Sequence, residues 1–172
     1  MTTYSDIVKE FVGQPDTKEI IKNYIKTYEH PEKILENYMR YASWIVKFGL
    51  LQSSVNYLKP RRKITTLLDL ASGRGNDLNR WNQLHIPQVL GIEVDEEQYK
   101  ESLLRLKETK EKKRIFIKVT YIHGSALDPV LVKKSLKNTY GTEYADIITC
   151  NFAMNYFFKN EETIDKFFQV TG

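Results

Sequence analysis

Thr65-Thr66-Leu67-Leu68-Asp69-Leu70-Ala71-Ser72-Gly73-Arg74-Gly75-Asn76-Asp77-Leu78 is the stretch that decides how this chain is read. An apolar, β-rich run ends in a carboxylate. Small residues and two glycines follow, and a helical pattern opens at Asp77. A strand, a tight loop and a helix start in this order hold a nucleotide-like ligand at the carboxyl edge of a parallel sheet. The spacing does not suit a dinucleotide. Gly-x-Gly-x-x-Gly uses its third glycine for close helix–strand packing beside a pyrophosphate, and that place is Leu78 here.

Charge narrows the ligand further. Asp69 and Asp77 would repel a pyrophosphate and suit a compound carrying positive charge. S-adenosylmethionine fits, with an ammonium group, a sulfonium and a ribose but no phosphate. A glycine turn without a ligand is the alternative, and a second acid weighs against it. Gln88-Val89-Leu90-Gly91-Ile92-Glu93-Val94-Asp95 reads as the second strand, with Glu93 placed 18 residues after Gly75. An acid at about that distance, ending the next strand, can accept both ribose hydroxyls; otherwise Glu93 is a plain surface acid. Asp95, Glu96 and Glu97 suit the first turn of the following helix, where carboxylates favour the dipole.

Composition bounds the class. The 172 residues allow one domain with a real core, and 41% hydrophobic with 28% charged residues is globular rather than disordered. No apolar run approaches the roughly 18 residues of a membrane span, and Met1-Thr2-Thr3-Tyr4 does not open a signal peptide. The single cysteine, Cys150, excludes an internal disulfide framework and a cysteine-rich metal site. His30, His85 and His123 show no ligand spacing, so no metal is expected. A net charge of +4 is compatible with a polyanionic partner without demanding one.

Residues 1–30 read as polar helical segments, with a cap at Asp16 reinforced by Glu19. A helix is expected from Pro31, with Ile34, Tyr38, Tyr41, Ile45 and Phe48 on a buried face and Ser43 and Lys47 sharing another. Pro60 stops it. Lys59-Pro60-Arg61-Arg62-Lys63 is a basic linker that is either simply solvated, a phosphate guide or a nuclear address. A helix over Gln98–Lys110 turns Tyr99, Leu103 and Leu106 inward, and Lys107, Lys110, Lys112, Lys113 and Arg114 make a charged turn. Ile115–Ile122 is the third strand, Val130–Leu136 a helix begun at Pro129, and Tyr144–Cys150 the fourth strand. Asn160 caps a last helix, with Glu161 and Glu162 in its first turn. Alternating strands and helices give an α/β chain with a mostly parallel, doubly wound sheet. A helical extension over 1–60 is expected to pack on a ligand-binding core over 61–172. A sheet of this type normally continues past the fourth strand, so the chain reads as the earlier part of a longer polypeptide.

At this point the residues resemble a known family, the eukaryotic and viral mRNA cap guanine-N7 methyltransferases, over about residues 34–172. The resemblance is carried by Leu68–Leu78 followed by Trp81, by Gly91-Ile92-Glu93, and by Asp146-Ile147-Ile148-Thr149-Cys150-Asn151-Phe152-Ala153-Met154-Asn155-Tyr156. It implies a Rossmann-like class I methyltransferase fold using S-adenosylmethionine. It further implies that Asp69, Ala71 and Asp77 line the methionine end, with Lys47 reaching the carboxylate, and that Gly73 also binds the cofactor. Glu93 holds the ribose, Ser125 sits at the adenine, and Asn151 closes over the cofactor. Arg74 and Arg105 face the triphosphate bridge of the cap; Ser43, Phe152, Asn155 and Tyr156 approach the guanine. The implied partner is the capped 5′ end of RNA, with a guanylyltransferase or triphosphatase domain nearby. The implied location is the nucleus for a cellular enzyme, or a cytoplasmic factory or virion for a viral one.

The chain departs from that family at several places. Ala71 and Asn76 stand where it usually has Gly, Ser125 where it has an adenine-contacting Asp, Asn155 where it has His, and Ser43 where it favours Asn. The adenine contact is weakened or passes to Asp128. The register from Trp44 to Lys47 is one residue longer than the family's Trp-Ile-Lys. Guanine N7 has a lone pair and no proton, so methyl transfer to it needs no general base and no protein nucleophile; no catalytic residue is assigned. Cys150 lacks the preceding proline of cytosine-C5 enzymes and reads as a core thiol. A small-molecule methyltransferase and a non-catalytic module of a capping complex are the alternatives; Arg74 and Arg105 argue against the former.

Overall fold

A computed structural model describes residues 41–112 and 114–172, without the side chains of residues 42–44. The cap at Asp16 and Glu19, Pro31, and the inward positions Ile34 and Tyr38 lie outside the described residues, as does Lys113. The chain divides into two compact units, Met1–Arg62 and Lys63–Gly172.

In the first unit a π-helix over Ala42–Phe48 runs into helix α1 (Gly49–Leu58), which ends before Pro60 as its missing N–H requires. The Gly49 N–H reaches both Ile45 O and Val46 O at the junction. Leu51 and Val55 are buried. Beyond α1 the Arg61 guanidinium lies 3.8 Å from the centre of the Tyr57 ring.

The second unit is built on strands β1 (Thr66–Leu70), β2 (Gln88–Glu93), β3 (Lys118–His123) and β4 (Ile147–Thr149), all parallel, in the order β3-β2-β1-β4. Helices α2 (Leu78–Gln83) and α3 (Glu96–Glu111) follow β1 and β2. Helix α4 (Pro129–Tyr140) follows β3, and α5 (Met154–Phe157) and α6 (Glu161–Thr171) follow β4. Side chains alternate across each strand, so the sheet has two covered faces. Leu68, Leu70, Leu90 and Ile92 pack with Val132 and Leu136 of α4, Phe157 of α5 and Phe167 and Val170 of α6. Tyr121 of β3 lies on the other side, against Gly91, Gly75 and Trp81 of α2. Coverage on both faces explains why β1 and β2 are nearly continuous apolar runs. Helix starts follow the expected signals. Asp95 accepts from Gln98 N (2.8 Å), Asp128 from Val130 N and Leu131 N (3.0 Å each), and Asn160 and Thr163 form a reciprocal capping box.

Three expectations are corrected. β3 begins at Lys118, not Ile115, because its partner strand opens after Pro87, which has no N–H to extend the ladder. The preceding backbone bonds to the Asn82 amide instead: Arg114 O accepts from Nδ2 at 2.9 Å and Phe116 N donates to Oδ1 at 2.8 Å. β4 begins at Ile147, not Tyr144, because the Asp146 side chain replaces ladder pairing. Its Oδ2 accepts from Thr65 N (2.7 Å), Thr66 N (3.0 Å) and both threonine hydroxyls (3.0 and 3.1 Å). Leu103 is exposed, and Ser102 takes the fully buried position on α3, where only a small side chain fits beneath Gly75.

Candidate functional site

The chain reverses its order of strand addition between β1 and β4: β2 and β3 extend the sheet one way, and the chain then returns to the other side of β1. Ligands of open parallel sheets bind at the carboxyl ends of the strands beside such a reversal. Asp69, the loop over residues 71–77, and Thr149 to Phe152 meet there.

The loop is a sequence of left-handed steps, Ala71 (φ 59°), Gly73 (φ 57°) and Gly75 (φ 69°). Ala71 occupies its step without a glycine's freedom, at a cost of about 1–3 kcal/mol. The steps turn the backbone amides inward. Ser72 N donates to Ile92 O (2.9 Å), Gly73 N to Glu93 Oε2 (2.6 Å) and Gly75 N to Ser72 O (3.3 Å). A phosphate-binding loop aims these groups at the ligand; here they are spent within the protein. Glu93 also accepts from Asp95 N through Oε1 (2.9 Å), so its buried carboxylate ties the loop to the start of α3. Each carboxylate oxygen has a second lone pair, which leaves Glu93 able to accept a diol.

The edge is acidic inside and balanced by neighbours. Asp69 is almost fully buried and accepts from Thr149 Oγ1 at 2.6 Å across the β1–β4 pair. Asp77 is buried in an ion pair with Arg80, three residues on. Beneath the loop, Ser72 Oγ and Tyr121 Oη are buried without a hydrogen-bond partner. Burial, with the charges of Asp69 and Asp77 close by, pushes the Tyr121 phenol well above its ordinary range, against the opposing Arg105. Two acids set into the edge, Asp69 and Asp77, suit a ligand carrying positive charge. They do not suit a pyrophosphate.

The structure brings the two predicted arginines together. Arg105 Nε donates to the Arg74 carbonyl at 3.1 Å, and Arg74 Nε lies 3.4 Å from Glu101 Oε2, one turn before Arg105 on α3. At the end of β3, Ser125 Oγ accepts from Leu127 N at 3.1 Å, while the Asp128 carboxylate caps α4. The His123 ring stacks on Tyr99 (centroids 5.4 Å apart) and its Nε2 meets Val94 O at 3.0 Å, fixing the exposed Val94 beside Glu93.

After β4, Asn151 is half-buried, and Asn155 and Tyr156 are exposed on α5. Phe152 is 60% exposed and held in the left-handed region (φ 60°). Cys150 packs against the core cluster, and burial, helped by the Asp69 charge, pushes its thiol up to about 11. Lys47 belongs to the first unit, half-buried in the π-helix; the Ser43 side chain lies outside the described residues.

Sequence reading missed Thr149, Glu101, Arg80 and Tyr121. Arg80 carried a signal, its three-residue spacing from Asp77. The other three act across 27 to 80 residues, and no local pattern marks them.

A model of the mRNA (guanine-N(7))-methyltransferase domain matches residues 11–171. Among solved structures, the plantazolicin methyltransferase BamL, in complex with a triazolic desmethylPZN analog and SAH, is similar at 14% identity and TM-score 0.51, over 95% of this chain and 50% of that one. A SAM-dependent methyltransferase from Thiobacillus denitrificans in complex with S-adenosyl-L-homocysteine is similar at 21% identity and TM-score 0.45, over 72% and 43%. An S-adenosylmethionine-dependent methyltransferase from Clostridium acetobutylicum is similar at 14% and 0.49, over 86% and 51%. The chain thus spans about half the length of these structures.

Proposed function

Because the chain belongs to the mRNA (guanine-N(7))-methyltransferase domain family, we propose that it transfers a methyl group from S-adenosylmethionine to N7 of the terminal guanine of GpppN-RNA. The sheet and its helices form a Rossmann-like class I methyltransferase fold. The observation that carries the reading is the loop with its amides turned inward onto Glu93 and Ile92, which leaves an acidic edge in place of an anion nest.

S-adenosylmethionine, when bound, supplies an electrophilic methyl group on a sulfonium. Glu93 would hold the ribose hydroxyls, and Asp69, Ala71 and Asp77 would hold the methionine end beside Gly73. Ser125 and Asn151 would border the adenosine. Arg74 and Arg105, already joined through the Arg74 carbonyl, would bind the triphosphate bridge. Phe152 and Tyr156 would offer aromatic faces to the guanine, and Asn155 can donate and accept at its edge. Guanine N7 has no proton to lose, so the residues contribute by aligning acceptor and donor and by fixing the field around the moving charge. Cys150, with its raised thiol, supplies no nucleophile. A guanylyltransferase or triphosphatase, on this chain or another, would produce the substrate.

The test is transfer of tritiated methyl to a GpppA-capped oligonucleotide, with uncapped RNA and free GTP in parallel. Transfer confined to capped RNA is expected; equal labelling of uncapped RNA would overturn the substrate. Calorimetry with S-adenosylhomocysteine tests the cofactor site, where Glu93→Ala should abolish detectable binding and Cys150→Ala should not.

A further inference from the structure

The arginine pair has an occupant of its own. Arg74 stands at the tip of the loop between two left-handed glycines. Helix α3 holds it twice: the Arg105 guanidinium takes its carbonyl at 3.1 Å, and the Glu101 carboxylate faces its guanidinium at 3.4 Å. Glu101 and Arg105 are four residues apart and share one face of the helix. A single carboxylate therefore faces one of the two cations and lies one helical turn from the other. The Arg74 and Glu101 side chains are 57% and 47% exposed, open to a dissolved anion.

We propose that Glu101 is a built-in competitor that an incoming polyphosphate displaces from Arg74. The inference rests on the reading of Arg74 and Arg105 as the pair that binds the triphosphate bridge. With Glu101 in place the local charge is one positive unit, and without it two. Attraction for an anion grows with the product of the two charges, so the restraint falls hardest on highly charged ligands. Breaking an exposed ion pair shifts an equilibrium by only about two- to fivefold. Glu101 thus lowers the affinity of the arginines for every phosphate ligand and is weak enough for a correctly placed bridge to move it.

The experiment compares the wild-type chain with Glu101→Gln, with Glu111→Gln as an equal charge change at the far end of α3, and with Arg74→Gln. Two probes are used, inorganic tripolyphosphate for binding and GpppA-capped RNA for methyl transfer. Glu101→Gln should tighten tripolyphosphate about two- to fivefold, lower KM for capped RNA by a similar factor without raising kcat, and steepen the salt dependence of both. Glu111→Gln should do none of this, and the tightening should shrink in the Arg74→Gln background. Unchanged or weaker tripolyphosphate binding in Glu101→Gln, or equal tightening in Glu111→Gln, overturns the proposal, as does the lack of measurable tripolyphosphate binding in every variant. Tightening of tripolyphosphate with no methylation of capped RNA would sink the cap reading and leave Glu101 as the competitor. Methylation with no effect of Glu101→Gln would do the reverse.

Discussion

Tyr121 lies under two glycines and touches each with a different part of its side chain, which makes a sharp test of the packing beneath the loop. A Cβ at Gly75 would come 2.6 Å from Tyr121 Oη and 3.2 Å from both Tyr121 Cζ and Ser102 Cβ. A Cβ at Gly91 would come 2.7 and 2.8 Å from the Tyr121 ring carbons Cδ1 and Cε1, and 2.9 Å from Ser72 Oγ. Gly75→Ala adds left-handed strain of about 1–3 kcal/mol to overpacking of about 1–3 kcal/mol, so a loss of about 2–6 kcal/mol is expected. Gly91 has an ordinary φ. Gly91→Ala adds overpacking alone and regains about 0.5–1 kcal/mol from the reduced freedom of the unfolded chain, for a net loss of about 0–2.5 kcal/mol.

Tyr121→Phe removes the hydroxyl and leaves the ring. On its own it should be neutral or stabilise by about 1 kcal/mol, because the hydroxyl it removes is buried without a partner. Beyond that effect, it should recover about 1 kcal/mol or more when added to Gly75→Ala and nothing when added to Gly91→Ala, since the ring atoms that clash there remain. Urea unfolding followed by tryptophan fluorescence measures this, with Trp81 placed 6.3 Å from the Tyr121 ring. Equal rescue of both alanines, or rescue of Gly91→Ala alone, would refute the packing of Tyr121 against the loop.

Two further outcomes are expected. Burial raises the Asp146 carboxyl, but the hydrogen bonds from Thr65 and Thr66 outweigh it and hold the group below its ordinary 3.8. Its stabilisation is therefore complete above that value and is lost as pH falls beneath it. Asp146→Asn should lower stability at pH 7 by about 1–2 kcal/mol and flatten the acid limb of a urea-midpoint series; parallel limbs would refute the pin. Phe152→Gly relieves a left-handed φ of 60° at an exposed position, so it should hold or raise stability by about 1 kcal/mol while raising KM for capped RNA. A clear loss of stability with KM unchanged would remove Phe152 from the substrate side.

The parts of this molecule that were legible in the sequence are those whose causes are local. β1 and β2 announced themselves because burial on both faces demands unbroken apolar runs, and Asp69 and Glu93 stood out as acids inside such runs. The helix starts at Asp95, Asp128 and Asn160 were readable because a cap acts within three residues. The starts of β3 and β4 were misplaced for the opposite reason. Ile115–Ile117 and Tyr144–Asp146 have strand-like composition, but Asn82 and the Thr65–Thr66 pair, 33 or more residues away in sequence, claim their hydrogen bonds. The charged residues of the site were found one by one, while the partners that hold them were not.

Those partners change what the site is. Glu93 is held by the Gly73 and Asp95 amides, Asp69 by the Thr149 hydroxyl, Asp77 by Arg80 and Arg74 by Glu101. Every one of these charges at the carboxyl edge has a protein partner before any ligand arrives. Binding is then an exchange of partners rather than the filling of bare charges, and the net gain at each position is the difference between two similar interactions. That difference is small, so single substitutions among Asp69, Asp77 and Arg74 should give graded losses. Glu93 is the exception, because its loss leaves the half-buried Gly73 amide unpaired and loosens the loop on which the other residues stand.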